Sequence, residues 1–149
     1  MRWLVAVALT ILGAIPAAAT PATEDVLREF HMFGTWAVEC GKPPSPANPH
    51  VDVSNPNPGL VFEDHHLAGE GPVNRYTIVG AERLSEVRLS LDVIFEPGKP
   101  NEERERLVLQ VRDGTRRTLF NQAQDGQVRV KDGIVVGYGV KTPLLTKCD

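Results

Sequence analysis

From Val87 onward the chain alternates apolar and polar side chains with a period of two. Val87, Leu89, Leu91, Val93 and Phe95 alternate with Arg88, Ser90 and Asp92, and Leu107, Leu109 and Val111 alternate with Arg106, Gln110 and Arg112. Successive side chains of an extended strand point to opposite faces, so each run predicts a strand with one apolar face. Leu60-Val61-Phe62 and Asn74–Val79 read as earlier strands. Thr115–Gln122, Gln127–Lys131, Ile134–Val140 and Pro143–Cys148 read as later ones. Asp113-Gly114, Asp125-Gly126 and Asp132-Gly133 are expected to be two-residue hairpin turns, since Asx-Gly suits the positive φ angles of type I′. Seven to nine short strands with local hairpins predict an all-β antiparallel meander. Closing the meander on itself removes its exposed edges, so a small barrel is preferred over a sandwich.

The pattern differs upstream. Thr20-Pro21 with Glu24 and Asp25 predicts a helix start, and Val26, Leu27, Phe30 and Phe33 follow at three- and four-residue spacing. Residues 20–33 are therefore expected to be a short helical segment ahead of a single β-barrel-like domain, 34–149. Gly34–Cys40 reads as the first strand, with Trp36, Val38 and Cys40 on one face. The expected core is Trp36, Val38, Val87, Leu89, Leu91, Val93, Leu107, Leu109, Val111 and Phe120. Between first strand and ladder, Gly41–Pro58 holds six prolines and predicts a long irregular loop, with at most a brief strand at His50–Val53.

Residues 1–19 carry an export-signal pattern: Arg2, an apolar run from Trp3 to Ile15, and Ala17-Ala18-Ala19 before the expected cut. Export implies a periplasmic or secreted protein without a transmembrane span after cleavage. It also makes Cys40 and Cys148, the two cysteines of the chain, an expected disulfide. In an even-stranded up-and-down barrel the C-terminal ends of the first and last strands lie at opposite rims. Linking Cys40 to Cys148 then requires an odd strand count or a tail that folds back. The formal charge of −3 becomes −4 once Arg2 leaves with the signal, and no basic stripe stands out, so nucleic acid is not an expected partner.

Gly34-Thr35-Trp36 after a short helical lead-in resembles the opening of the calycin and lipocalin-like small exported β-barrels, including bacterial periplasmic protease-inhibitor barrels. The resemblance implies a basic residue near the end of the barrel packed over Trp36, with Lys147 or Lys141 in place for it.

Catalytic motifs are missing: there is no G-x-S-x-G, phosphate loop or dinucleotide fingerprint. Glu63-Asp64-His65-His66 is dense in ligand types, and Asp64, His65 and His66 are the nearest metal candidates. On a strand, however, His65 and His66 point apart, and the following glycines read as a solvated hairpin end. No metal and no cofactor are expected. The EERER run at 102–106 reads as a solvated strand entrance. With a two-residue turn at Asp113-Gly114, Arg112 faces Thr115, Gln110 faces Arg117 and Val108 faces Leu119. Arg106, Gln110, Arg112 and Arg117 would then share a face suited to a small anion or anionic lipid.

The function expected from the sequence is that of a non-enzymatic exported binding protein, an inhibitor or an envelope interaction protein whose partner is another envelope or secreted protein. Its contact residues are expected to be Pro43, Pro44, Pro46, Asn48 and His50, with Arg112 and Arg117 on the sheet. The segment Lys42–Pro58 is expected to contribute little to folding. The alternatives are a carrier of a small molecule or anionic lipid inside the barrel, and a hydrolase whose site is assembled only in space.

Overall fold

The computed structural model describes residues 19–69 and 71–148. The export signal read at 1–19 lies, up to residue 18, outside the described residues. Helix α1 (Pro21–Glu29) begins where Thr20 Oγ1 accepts from Thr23 N at 3.2 Å, with Pro21 in the first turn and Glu24 beside the positive end of the helix dipole. Ten strands follow among the described residues: β1 (Gly34–Ala37), β2 (His50–Asn57), β3 (Leu60–His66), β4 (Asn74–Ser85), β5 (Arg88–Phe95), β6 (Glu103–Arg112), β7 (Thr115–Ala123), β8 (Val128–Lys131), β9 (Ile134–Val135) and β10 (Leu145–Lys147).

Strands β1 to β7 pair in sequence order, all antiparallel, and β10 joins β7 to β1, giving a closed eight-stranded barrel. Only Thr115 and Arg116 of β7 pair with β10, while Asn121 and Gln122 of the same strand pair with β8. The second half of β7 therefore carries a flap, β8–β9, outside the closed ring. Cys40 and Cys148 are bonded, with their Cα atoms 5.5 Å apart. The strand count is even and the tail does not fold back. Instead β1 stops at Ala37, and the turn after it returns Cys40 to β10, its Sγ 3.9 Å from Thr146 O.

Helix α1 closes one end. Leu27, Phe30 and Met32 join the barrel core of Trp36, Val53, Val61, Ile78, Leu89, Leu91 and Leu109. Ala19 N donates to Gly59 O at 2.9 Å, Glu24 accepts from Gly59 N at 2.7 Å, and Glu29 pairs with Arg83 at 2.7 Å. Gly34 sits at φ +108°, and a Cβ there would lie 2.9 Å from Lys147 Nζ. Lys147 lies over Trp36, its Nζ 4.8 Å from the ring centroid, while Trp36 Nε1 donates to Met32 O at 2.8 Å.

Several expectations are corrected. The loop after β1 is shorter than Gly41–Pro58, because β2 runs through Asn57. Pro56 is tolerated there because the β2–β3 ladder skips from Ser54↔Phe62 to Asn57↔Leu60, so its missing N–H removes no rung. Glu63-Asp64-His65-His66 is the second half of β3 rather than a hairpin end. Val38 is exposed because it lies beyond β1, and Val87 is half-buried in the β4–β5 turn. Phe120 is also half-buried: Leu109 pairs with Thr118 but Val108 pairs with Phe120, so Leu119 is an extra residue. That bulge turns Phe120 outward and Asn121 inward. Asp113 and Gly114 both have positive φ, as do Asp132 and Gly133. At 124–126 only Gly126 does, and the Gly126 N to Ala123 O bond marks a three-residue hairpin loop. Residues 136–140 form a turn rather than a continuation of β9.

Candidate functional site

The barrel interior changes character along its axis. Away from α1, positions in phase with the apolar core are occupied by charged and polar residues. Val61 is followed on the inner face of β3 by Glu63 and His65, Ile78 is preceded on β4 by Tyr76, and Leu107 is preceded on β6 by Glu105 and Glu103. From β7, Arg116 and Asn121 point inward beside them. Of these, Glu63, His65, Tyr76, Arg116 and Asn121 border a cavity of about 320 Å³ at the end opposite the helix, whose rim includes Pro49, Leu67 and Pro143.

At the base of this cavity Arg116 Nη1 and Nη2 donate to the two oxygens of Glu63 at 3.1 and 3.0 Å, and both side chains are buried. His65 Nε2 lies 2.9 Å from Glu63 Oε1 and donates, since a carboxylate only accepts. Burial alone would push the Glu63 carboxyl up. The Arg116 guanidinium and the His65 hydrogen bond outweigh it and hold the group far below the usual carboxylate range. Arg116 also lies over the Trp36 ring, its Cζ 5.5 Å from the centroid. Tyr76 packs between His65 and Phe95, with ring centroids 5.2 and 5.1 Å away. Burial, and then the Glu105 and Glu63 carboxylates, push its phenol well above its ordinary value, so it remains a neutral donor.

A second set of charges holds the flap. Arg129 of β8 is hydrogen-bonded to both Glu103 and Glu105, and Glu105 also accepts from Asn121 Nδ2 at 2.8 Å. The EERER run is thus not a solvated entrance. Its glutamates at 103 and 105 face inward and Glu105 is buried, because they share the phase of Leu107 and Leu109. Two carboxylates around one guanidinium anchor the flap to β6 at the edge of the cavity.

The sequence-predicted residues are dispersed. Arg117 borders the cavity and donates to Thr142 O at 3.0 Å. Arg112 is exposed near the helix end and pairs with Asp113 at 2.9 Å, and Arg106 pairs with Asp92 at 3.1 Å. Each guanidinium has its own acceptor, and the bulge at Leu119 removes the expected Val108–Leu119 facing. Of the metal candidates, His65 points into the cavity, while His66 pairs with Asp52 at 3.1 Å and Asp64 with Arg75 at 2.6 Å on the outer face. These three do not converge on a point.

The proline-rich loop is organised by Asn48. Its side chain accepts from Glu39 N at 2.8 Å and donates to the carbonyls of Glu39, Lys42 and Pro43 at 3.1–3.2 Å. His50 Nε2 donates to Lys42 O at 2.9 Å. Pro43 and Pro46 are exposed, Pro44 is half-buried, and Asn48 is 6% exposed. Asn48 and β2 thus make 42–58 part of the fold, contrary to the expectation that it adds little to folding. Asn48→Ala removes four hydrogen bonds and strips Glu39 N and Pro43 O of their partner, while Lys42 O keeps His50 and Glu39 O keeps Lys42 N. It is expected to cost about 1–3 kcal/mol in urea unfolding, whereas an effect within about half a kcal/mol would return the loop to a passive role.

No family model, curated protein or solved structure matches the chain. Its function is therefore argued from the barrel itself. Sequence reasoning missed Glu63, Tyr76, Glu105, Arg116 and Asn121. The available signal was a charged residue in the apolar phase of a strand: Glu63 two after Val61, and Arg116 opposite Val111 across the Asp113-Gly114 turn.

Proposed function

We propose that this protein is a non-enzymatic binding protein of the periplasm or the secreted fraction, and that it holds a small amphiphilic molecule in the mouth of its barrel. The cavity of about 320 Å³ carries this reading: His65, Tyr76 and Arg117 stand on its wall beside Val51, Leu107 and Val130, and it is open above a filled core. Small-ligand sites have this character, mostly apolar walls with a few convergent polar groups, starting at roughly this volume. The saturation of Glu63 by three donors supports binding over catalysis, because a carboxylate held in that way is a poor general base. The Cys40–Cys148 bond supports an oxidising compartment. A lipocalin-like architecture belongs to the same proposal, supported by the closed barrel, the helix across one end and Lys147 over Trp36.

Native mass spectrometry of protein purified after export tests the reading. The expected result is a small-molecule adduct whose occupancy falls at least about tenfold in Leu67→Trp, which fills the rim without touching the buried ion pair. A parent protein without adduct, or occupancy unchanged in the variant, would overturn the carrier reading. Recognition of another envelope or secreted protein is the second reading, favoured by one observation: Asn48 pre-orders the loop while leaving Pro43 and Pro46 exposed, which lowers the entropy lost on docking.

A further inference from the structure

Seven large apolar side chains are exposed among the described residues, and four of them fall within nine positions: Val136, Tyr138, Val140 and Leu144. They belong to the flap turn and the segment that follows it. Tyr138 stands at the tip, 82% exposed, between Gly137 and Gly139, both at positive φ. Val136 and Val140 are about half exposed on either side. Neighbouring segments hold the turn: Val135 N donates to Val140 O and Val136 N to Arg129 O, both at 2.8 Å. The apolar tip is thus presented by a hydrogen-bonded flap that Arg129 anchors to β6.

Charge at the base of the tip narrows the occupant. Lys131 pairs in register with Ile134, and Ile134 bridges to Lys141, so two exposed lysines flank Ile134 across three adjacent segments. Neighbouring segments lie about 4.8 Å apart, which separates the lysine backbones by roughly 10 Å, and the chain reaches Lys141 three residues after Tyr138, on leaving the turn. A protruding tip of one aromatic and two aliphatic side chains, with cations one step behind, matches an anionic lipid surface. Apolar groups enter the acyl boundary, Tyr sits at headgroup level, and ammonium groups reach the phosphates. An isologous contact between two copies through the same tip would bring four lysines together.

We propose that the turn at 136–140 docks the protein onto a membrane surface rich in anionic phospholipid. The proposal does not rest on the ligand reading, yet it bears on it. Val130, Thr142 and Pro143, on either side of the tip, also border the cavity, so docking would bring the mouth towards the bilayer. The test is flotation of protein purified after export with two kinds of vesicle, phosphatidylcholine alone and phosphatidylcholine with about one-third phosphatidylglycerol. Binding is expected to the second kind only. It should weaken at least about tenfold in Tyr138→Ser/Val140→Ser, and by about an order of magnitude in Lys131→Gln/Lys141→Gln. All four side chains are exposed, and matching melting curves will show that the variants fold. Lack of binding to anionic vesicles, or binding unchanged in the tip variant, would overturn the proposal. So would a dimer in sedimentation velocity that the tip variant abolishes, because a second copy would then be the occupant.

Discussion

Arg116→Met is expected to cost about 3–5 kcal/mol of folding stability, because it leaves the Glu63 carboxylate buried without its counter-charge. Domains of this size are stable by about 5–15 kcal/mol in all, so the variant should approach unfolding at moderate denaturant. Removing both charges tells a different story. Glu63→Leu with Arg116→Met replaces the pair by apolar volume and should recover most of the loss, since a buried ion pair seldom outperforms a hydrophobic replacement. Urea unfolding of the parent, the single and the double variant checks this. A single variant within about 1 kcal/mol of the parent would mean that the pair is hydrated through the cavity and not isolated from water.

The same pair sets an acid limit. Glu63 is held far below the usual carboxylate range in the folded protein, whereas in the unfolded chain it titrates near its ordinary value of about 4.3. Below that pH the unfolded state takes up a proton that the folded state refuses, and stability falls as the pH drops towards the folded value. Above about pH 5 the contribution is complete and flat. Glu63→Gln should remove this acid dependence along with the stabilisation, a combination readable from unfolding midpoints measured between roughly pH 3 and pH 6.

Loss of the disulfide is the second large effect expected. Cys40 and Cys148 are 108 positions apart, and the simple chain-entropy model assigns about 4–5 kcal/mol to closing a loop of that length. The local consequence is more diagnostic than the total. Strand β10 has three residues and completes the ring, so its closure depends on few ladder bonds: Leu145 and Thr146 pair with β7, and Thr146 and Lys147 with β1. Cys148 N also bonds to Thr35 O at 2.8 Å. In Cys40→Ser/Cys148→Ser, amide exchange at Leu145 and Lys147 should accelerate more than at Leu89 or Leu91 in the long central strands. Uniform acceleration would show that the barrel opens only as a whole. A loss under about 1 kcal/mol would assign closure to Lys147, Trp36 and Leu145 packing instead.

The sequence by itself determined the strands whose alternation marks the core face. On β5, Leu89, Leu91 and Val93 are apolar and buried while Arg88 and Asp92 are exposed, and the neighbours cover Ser90 and Ile94 of the other face as well. The helix start at Thr20-Pro21, the turn at Asp113-Gly114 and the Cys40–Cys148 bond were legible for a similar reason: each depends on neighbouring residues, or on there being two thiols in the chain. Tertiary structure alone decided the rest. Pro56 fits β2 only because its partner strand skips a rung, and Leu119 turns Asn121 inward only because β6 pairs with β7 out of step at that point. Glu63 and Arg116, 53 positions apart, look like solvated charges on their own strands. Closure of the ring puts both inside, where each makes the other's burial tolerable. Alternation records which face a side chain takes, but whether that face meets oil, water or an opposite charge is settled by the strands that arrive across the barrel.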